Sequence, residues 1–364
     1  QHQSGTALSR ETSWRKPRVK TVDLLLFSRQ MYALLKGGVP ILRALAGLQE
    51  SSSNPTFKQA LQNVRESLEG GRDLSTSLQR QSNAFTPFYV AMVYVGETTG
   101  RLEEVFLRLF DHLEFQEQMH NQVKSALRYP IFVVSVMAVA LGVLNMFVIP
   151  QFAKVYKGFG AQLPVVTRAL IAFSEWCIGN AWFMAFAFVG TGIALKAWVA
   201  RPEGRHQWDR MKLRIPIVGK IVHKASMARF ARSFALSIRS GVSAVQGLTL
   251  VSQVVDNSYL ARCIERMREG VERGESILRT AIASKAFTPV ALQMMLVGEE
   301  SGALDDMMDE VADMYTREVE YELKTLSSQI EPILILLLGV LVLIVALGVF
   351  LPIWDLGQVA MRGK

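Results

Sequence analysis

The sequence contains few of the residues that form disulfide frameworks and metal centres. Among its 364 residues there are two cysteines and five histidines. Cys177 lies in an apolar stretch and Cys263 in a charged one, so neither a disulfide framework nor a zinc-ligand spacing is present. The two closest histidines, His112 and His120, are eight residues apart, which leaves them about 80° out of line on a helix. We therefore expect no cofactor and no metal centre built on cysteine or histidine.

Nucleotide-binding and catalytic motifs are also absent from the sequence. No G-x-x-x-x-G-K-[ST] phosphate loop occurs, and the nearest string, RIPIVGKI at residues 214–221, lacks the first glycine and the hydroxyl residue. The patterns G-x-G-x-x-G, H-E-x-x-H and G-x-S-x-G do not occur either. We expect a protein that is not an enzyme and that depends on another protein for the energy of nucleotide hydrolysis.

Ionisable side chains are missing from three long stretches of the chain. Residues 130–150 and 332–353 contain none, and residues 169–195 contain one, Glu175. Half of all residues are hydrophobic and only 20% are charged. About 20 consecutive apolar residues in a helix span the hydrocarbon core of a bilayer. The three stretches are therefore predicted to be transmembrane helices, which makes the chain a multi-pass membrane protein.

The distribution of positive charge predicts the orientation of these helices. Residues 196–214 hold six lysines and arginines, whereas the shorter connection at 151–168 holds three. Because positive residues accumulate on the cytoplasmic side, the segment after the second span is predicted to be cytoplasmic. This cluster accounts for part of the net charge of +8 without nucleic acid as a partner. The chain begins at Gln1 rather than at methionine, so we expect a further N-terminal segment to be missing.

A long internal repeat organises the sequence. The segment that starts at Phe27, FSRQMYALLKGGV, returns at Phe230 as FARSFALSIRSGV, and the turn Phe-Thr-Pro at 85–87 returns at 287–289. Pro130 and Pro332 open the first and third apolar stretches at the same spacing. An offset that stays at 202 to 203 residues over a whole module indicates a duplicated unit, with a helical domain followed by a membrane helix.

Both copies are predicted to be helical bundles. Apolar residues recur every three or four positions, as in Leu24, Phe27 and Met31. Glycines are expected to end the first helix of each copy near residues 38 and 241. No alternating pattern typical of strands is present, so we predict an all-α fold with about six short helices in each copy. The last helix of the first copy is expected to run from Leu102 to about Met119.

These features give one predicted order of segments. They are a basic flexible lead-in (1–20), a first cytoplasmic helical domain (21–129), a first transmembrane helix (130–150), a periplasmic loop (151–168), a second transmembrane helix (169–195), a second cytoplasmic helical domain (196–331), a third transmembrane helix (332–353) and a periplasmic tail (354–364).

One short turn occurs in both copies. VGETTGRL at residues 95–102 returns as VGEESGAL at 297–304. In a structural interpretation, the first glycine of each turn ends one helix, Thr99 or Ser301 caps the next, and the acidic pairs after it favour the positive end of the helix dipole. In a functional interpretation, the glutamate of each turn faces a partner or a metal ion. The two interpretations are compatible, because loops between rigid helices often make contacts.

Several residues are therefore candidates for binding a partner, and none is a candidate for catalysis or for binding a cofactor. They are Glu97, Gly100, Glu299, Gly302, Arg29 and Arg232. The last two occupy the same helix position in the two copies. A further acidic run lies along one predicted helix and is interpreted as a solvated face, with a basic partner surface or a calcium site as the alternatives. Its members are Asp305, Asp306, Asp309, Glu310 and Asp313.

Together, the repeated module, the two Gly-Glu turns, Phe-Thr-Pro and the loop FGAQLP at 159–164 with Thr167 resemble the type II secretion F / PilC family. The similarity extends from about Val22 to Trp354. The two copies differ at the position after the repeated segment, where the second copy has Ser243 and the first has Pro40. Members of this family are platform proteins of the bacterial inner membrane, in type II secretion systems and type IV pili.

The resemblance implies a set of partners. These are a hexameric assembly ATPase on the cytoplasmic side, pilin or pseudopilin subunits, other inner-membrane assembly proteins, the lipid bilayer and further copies of the chain. It also implies a role without catalysis, in which the ATPase drives insertion or extraction of pilin subunits.

The sequence disfavours two other function classes. A permease or channel subunit is disfavoured because its pathway should carry ionisable residues, and here only Asn145 and the edge residue Glu175 are polar candidates. Ion flux through liposomes that contain only this protein would favour a channel. An ATP-hydrolysing motor is disfavoured by the missing phosphate loop, and nucleotide binding by the helical domains would favour it.

Overall fold

A computed structural model describes residues 19–143, 172, 176, 179–216 and 218–362. Within these residues the chain forms helices and no strand, which confirms the predicted all-α class. In chain order the helices are α1 (Thr21–Lys36), α2 (Ile41–Ser51), α3 (Pro55–Glu69), α4 (Leu74–Gln79), α5 (Pro87–Thr99), α6 (Leu102–Val143), α7 (Ala181–Ala200), α8 (Pro202–Lys212), α9 (Val218–Arg239), α10 (Ala244–Val254), α11 (Ser258–Glu272), α12 (Ile277–Ser284), α13 (Pro289–Ser301) and α14 (Leu304–Arg362).

Helices α1 to α5 and the first turns of α6 form the first copy. Its core is an aromatic cluster around Phe27 of α1, which is only 3% exposed. The ring of Phe27 meets Phe57 edge-on at 5.6 Å and Phe106 at 6.0 Å between centroids. Edge-on contacts of this kind add to the stabilisation that comes from burial alone. The apolar face predicted from the spacing of Leu24, Phe27 and Met31 is therefore the face that builds the core.

Helices α9 to α13 and the first turns of α14 repeat this order in the second copy. Phe230 and Phe234 stack at 5.7 Å between ring centroids, and Phe287 meets Phe230 edge-on at 5.4 Å. The hydroxyl of Tyr315, a fully buried residue of α14, accepts a hydrogen bond from the backbone N–H of Thr288 at 3.1 Å. That bond ties the start of α13 to α14. In the first copy, the ring of Phe85 meets that of Phe27 at 5.8 Å between centroids.

The first helices of both copies end as the glycines predict. Helix α1 ends at Lys36, and Gly38 follows with a φ of +75°. Helix α9 ends at Arg239, and Gly241 follows with a φ of +87°. Left-handed backbone of this kind costs glycine little and any residue with a Cβ more.

The described residues divide into two compact units. One comprises residues up to 120 together with 224–316, and it therefore contains the short helices of both copies. The other comprises residues 121–223 together with 317–364. In this second unit the side chain of Gln122, on α6, donates a hydrogen bond to Glu320, on α14, at 3.0 Å.

The last helix of each copy is much longer than the sequence predicted. The expected end of α6 near Met119 is wrong, because the helix continues through Pro130 to Val143. Helix α14 likewise runs for 59 residues. Both contain a stretch that is long and apolar enough to cross a membrane. Side chains such as Phe132 and Ile333 are 66% and 62% exposed there, so the apolar surface is not buried within the chain. The periodic spacing of apolar residues in α6 ends near Met119, because beyond this point the helix is no longer amphipathic. The helix itself continues.

The middle apolar stretch, predicted at 169–195, is described only in part. Its second half belongs to α7, where Trp182 and Phe186 are 82% and 74% exposed. The loop predicted at 151–168, Cys177 and most of residues 1–20 lie outside the described residues. Two candidate spans are found among the described residues, so the third remains a prediction.

Candidate functional site

The first glycine of each repeated turn lies inside a helix and does not end one, contrary to the prediction. Helix α5 continues past Gly96 to Thr99, and α13 continues past Gly298 to Ser301. A Cβ on Gly96 would lie 2.9 Å from the side chain of Val105, and one on Gly298 would lie 3.0 Å from Met307. These positions are glycine because the following long helix crosses at that point with no room for a side chain.

The second glycine makes the turn. Gly100 and Gly302 have φ angles of +69° and +72° at the ends of α5 and α13. After Gly100, the backbone N–H of Arg101 donates to the carbonyl of Gly96 at 2.8 Å, which satisfies an acceptor at the end of the helix. Both candidate glycines thus have a backbone role that is sufficient to explain them.

Glu97 caps a helix elsewhere in its own copy. Its carboxylate accepts hydrogen bonds from the backbone N–H of Leu74 at 2.6 Å and of Ser75 at 3.1 Å, and from the hydroxyl of Ser75 at 2.6 Å. These two N–H groups belong to the first turn of α4, where intrahelical partners are lacking. Asp73, at the usual capping position, makes no side-chain cap bond, so Glu97 takes its place.

Glu299 does the same in the second copy. It accepts hydrogen bonds from the backbone N–H groups of Ile277 at 3.0 Å and Leu278 at 3.1 Å, at the start of α12. Here the usual position is also used, since the side chain of Ser276 accepts from the N–H of Arg279. The cap by Glu299 is therefore shared with Ser276, whereas the cap by Glu97 is not shared with Asp73.

The hydroxyl residues of the turns do not cap the next helix in the expected way. Thr99 donates its hydroxyl to the carbonyl of Val95 within α5. Ser301 donates to the carbonyl of Val297 and accepts from the N–H of Ala303, just before α14 begins. Because both hydroxyls bond back into the preceding helix, capping by Thr99 is wrong and capping by Ser301 reaches only the residue before the helix.

Four of the five acidic residues of the run on α14, Asp305, Asp306, Asp309 and Asp313, pair with arginines of the same copy. Arg232 of α9 pairs with Asp309 at 3.1 Å and with Asp313. Arg239, two turns further along α9, pairs with Asp306 at 2.9 Å and also with Asp305. Among the described residues no group of three or more histidine, cysteine or acidic side chains could hold a metal ion. The run thus joins α9 to α14 within one copy, a role that the sequence did not predict.

Arg29 and Arg232 have different surroundings, although they are equivalent in sequence. Arg29 is exposed and lies over the ring of Phe110 at 5.1 Å. Arg232 lies over the ring of Phe115 at 5.0 Å, and Phe115 belongs to the other copy. Contacts of a guanidinium with an aromatic face stabilise by about 0.5–1 kcal/mol at exposed sites. Arg232 therefore contributes to a contact between the two copies, and Arg29 acts within its own copy.

The two copies contact each other directly. Helix α5 of the first packs on α10 of the second. Arg108, on α6, donates a hydrogen bond to the hydroxyl of Ser240 at 3.4 Å. A cavity of about 300 Å³ lies in this contact and is lined by Arg108, Asp111, His112, Phe115, Arg232, Leu236, Arg239 and Asp309.

His112 is the buried titratable group of this contact. It is only 4% exposed, its ring lies 4.8 Å from that of Phe88, and its Nε2 meets the amide nitrogen of Gln116 at 2.9 Å. Its Nδ1 is buried and has no hydrogen-bond partner. Burial, together with the charge of Arg232, lowers the pKa of His112 from 6.5 to about 4. The imidazole is therefore neutral in the folded protein at neutral pH.

The contact between copies was missed from the sequence, although the sequence carries a signal for it. Where the copies differ, the second has Leu250 and the first has Gly47, and the first has Phe115 and the second has Arg317. Leu250 is 9% exposed, and Phe115 meets Arg232 of the other copy. In a duplicated chain, an apolar residue present in only one copy can mark a surface that this copy buries within the chain.

Comparison with known proteins gives one consistent result. A family model described as "Type II secretion system (T2SS), protein F" matches residues 27–150 and again residues 230–352, which confirms the duplication. The chain is 35% identical to "Type IV pilus assembly protein PilC" of Thermus thermophilus, over 94% of the chain and 84% of that protein. It is 32% identical to PilC of Pseudomonas aeruginosa, over 94% and 92%. It is 31% identical to "Type II secretion system protein F" of the same organism, over 92% and 83%.

Proposed function

Because the chain belongs to the type II secretion system protein F family, we propose that it is an inner-membrane platform protein of a type IV pilus or type II secretion machine. Its relatives carry the names of pilus assembly and secretion proteins. The observation that carries the proposal is the continuity of α6 and α14, each of which begins in a helical bundle and ends in an apolar stretch long enough to cross a membrane. A movement imposed on the bundle can pass along such a helix to the lipid phase.

The energy for this movement is proposed to come from a hexameric assembly ATPase that engages the cytoplasmic helices. The absence of a phosphate loop supports a protein that does not hydrolyse nucleotide itself. In this proposal ATPase-driven rotation or displacement of the two copies moves α6 and α14, which insert or extract pilin or pseudopilin subunits. Other inner-membrane assembly proteins and further copies of the chain complete the machine.

The proposed contact with pilin lies at the level of the lipid. The stems of pilins are apolar helices, so their transfer needs an apolar surface rather than an aqueous pore. Exposed apolar side chains along the two long helices supply such a surface, with Ile131 and Val139 of α6 at 62% and 66% exposure and Leu336 of α14 at 70%. Van der Waals packing is one of the forces that drive association of helices within a membrane.

Both copies are proposed to face the cytoplasm. Their direct contact through α5 and α10 supports placement on one side of the membrane. Two copies, each followed by one span, require a third span to return the chain, and 169–195 is the proposed third span. The segment 151–168 and the tail 354–364 are then periplasmic.

The basic segment after the middle span is proposed to lie at the lipid headgroups or against the ATPase. In α8, Asp209 is buried and pairs with Lys212 at 2.9 Å, while Arg205 is mostly exposed. Exposed basic residues close to a membrane span attract anionic lipid. Cysteine labels between Arg205 and Lys224 should react only from the cytoplasmic side, and labelling only from the periplasm would invert the topology.

Within the family, we propose that the chain is the member that serves the mannose-sensitive haemagglutinin pilus. Deletion of the gene should abolish haemagglutination that mannose inhibits. Unchanged haemagglutination, with loss of another pilus or of secretion, would assign the chain to that other system.

The platform function is tested by purification from membranes. The tagged chain should co-purify with the assembly ATPase of its system, and crosslinks should map to residues of α1–α5 or α9–α13. Liposomes that contain only the chain should show neither nucleotide hydrolysis nor ion flux. Hydrolysis or flux by the chain alone would contradict the proposal.

A further inference from the structure

The contact between the two copies joins different faces of the same module. The first copy contributes α5 and α6, and the second contributes α9 and α10. Since α9 and α10 are the equivalents of α1 and α2, the contact is head to tail rather than two-fold. In the part of the chain that the structure describes, α2 and α13 make no comparable contact. The equivalent face of α2 in the first copy and of α13 in the second is therefore unused within the described residues, and exposed side chains such as Lys36 of α1 and Glu310 of α14 lie beside these two helices.

The unused face of the second copy is apolar. In the first copy, Phe88 and Met92 of α5 are 3% and 1% exposed. On α13, Val290 stands in place of Phe88 and is 49% exposed, whereas Met294, in place of Met92, is half-buried. Val297, seven residues after Val290 on the same face, is 53% exposed, and its equivalent Val95 is half-buried. An apolar face that is covered more fully in one copy than in the other indicates a surface that can take the same kind of partner.

The two unused faces carry opposite charge. Glu300 and Glu310 are exposed acidic residues around Val290 and Val297, and Asp306 beside them pairs with Arg239 of the same copy. On the unused face of the first copy, the exposed basic residues are Arg29, Lys36 and Arg43, next to the exposed Leu42. Complementary potential of this kind favours one pairing of surfaces over others.

The repeat assigns specific neighbours to such a contact. Within the chain, Arg108 and Arg239 line the same cavities in the contact between copies. Glu310 is the equivalent of Arg108, and Lys36 is the equivalent of Arg239. A contact between chains would thus place Glu310 near Lys36, which have opposite charges. The contact within the chain has two arginines at these positions. Arg29 would meet Arg317 in place of Phe115, so this contact is expected to be weaker than the internal one.

We propose that a second copy of the chain docks the α1–α2 face of its first repeat on the α13–α14 face of the second repeat. The head-to-tail contact seen inside one chain is then continued from chain to chain. Head-to-tail contacts close into rings when the rotation between subunits permits. Each chain adds two repeats, so a ring formed in this way contains an even number of repeats. The proposal requires both repeats on one side of the membrane, but it does not depend on the pilus function.

Disulfide trapping between two differently tagged chains tests the assigned neighbours. Glu310→Cys in one chain and Lys36→Cys in the other, co-expressed and oxidised in membranes, should give a dimer that contains both tags. The matched control pairs Glu272→Cys with Lys36→Cys, because Glu272 is an exposed acidic residue of α11 outside the face. This control should give at least tenfold less of the dimer that contains both tags. Equal yields, or dimers of Glu310→Cys with itself, would overturn the head-to-tail contact.

Charge exchange and loss of the apolar face provide a second test. Glu310→Lys should reduce the oligomer in detergent by light scattering, and Lys36→Glu in the same chain should restore it. Val297→Glu should dissociate the oligomer, whereas Ile282→Glu, which alters an apolar side chain of 54% exposure outside the face, should not. The proposal fails if the double charge-reversed variant forms no more oligomer than either single variant. It also fails if Ile282→Glu reduces the oligomer as much as Val297→Glu does.

Discussion

At the scale of single residues, the repeated turn is explained by three separate requirements. Its first glycine admits the crossing helix, its second adopts a left-handed backbone, and the glutamate between them caps a third helix of the same bundle. Burial of N–H groups without an acceptor costs about 1–3 kcal/mol, which is reason enough to keep a carboxylate at 97 and 299. The structural interpretation of the turn is thus supported by contacts, while the partner-binding role of Glu97 and Glu299 remains a hypothesis.

The capping role predicts a stability difference between the two turns. Glu97→Ala leaves the start of α4 without a side-chain cap and should destabilise the chain by about 1–3 kcal/mol. Glu299→Ala should cost less, because Ser276 still caps α12. Denaturation of the chain in detergent measures both. A larger loss for Glu299→Ala would contradict the division of capping described above.

The partner-binding hypothesis predicts a loss of assembly beyond any loss of stability. Glu97→Lys with Glu299→Lys should abolish fibre assembly while the chain still inserts in the membrane, as measured by pilus counts and membrane fractionation. Glu272→Lys, a charge reversal at an exposed acidic residue of α11 outside the proposed docking face, is the control and should retain pili. Normal piliation in the double variant would leave the two glutamates with the capping role alone.

His112 predicts a dependence of stability on pH. Its folded pKa of about 4 lies below the ordinary 6.5, so protonation favours the unfolded state. The stabilisation is complete above pH 6.5 and is lost as pH falls towards 4. Between pH 7.5 and 5.5 this residue should account for about 1 kcal/mol of lost stability. The facing charges are Arg108, Asp111, Arg232, Arg239 and Asp309, with Asp256 near a second cavity beside the ring.

The measurement compares the wild type with His112→Met, since methionine occupies the equivalent position, 314, in the second copy. The free energy of unfolding, measured by denaturation at pH 7.5 and 5.5, should fall by about 1 kcal/mol less in the variant than in the wild type. An identical drop in both proteins would mean that His112 does not carry the dependence.

At the scale of elements, the crossing of α5 and α6 depends on Gly96. Gly96→Ala places a methyl group against Val105 and should destabilise the chain by about 1–3 kcal/mol. Gly96→Ala with Val105→Ala should recover part of this loss. The matched control is Gly47→Ala in α2, where nothing lies within 4 Å and alanine should be neutral or stabilising. Thermal midpoints in detergent report all three, and equal effects at positions 47 and 96 would contradict the close crossing.

The core faces and the all-α class could be predicted from the sequence, whereas contacts between distant residues could not. Apolar spacing around Phe27 and Phe230 gave the core faces and the all-α class, because that spacing is local. The end of α6 was wrong, because an amphipathic helix can become uniformly apolar without ending. The use of Glu97 as a cap and of Arg232 across the copies could not be predicted, because both depend on residues that are distant in sequence and brought together by the fold.

At the scale of the whole molecule, duplication explains why the two copies share one fold and why they expose different faces. Two equal copies would be redundant if they acted alone, but their contact buries α5 and leaves α13 open. One gene thus supplies a covered face for cohesion within the chain and an open face for contact with another. The same duplication gives the chain two long helices, α6 and α14, that continue from bundle to apolar stretch.

Interruption of α6 tests the central claim, that the chain transmits movement through a continuous helix. Gln122, Val123 and Lys124 lie after the first copy and before the apolar stretch. Replacement of all three by glycine makes this segment flexible, at a cost of about 1 kcal/mol of helix stability per residue relative to alanine. Replacement of all three by alanine removes the same side chains and keeps the helix. We expect both variants to insert in the membrane and to bind the ATPase, and we expect pili from the alanine variant but not from the glycine variant. Pilus counts at the wild-type level in the glycine variant would contradict the transmission of movement through a continuous α6.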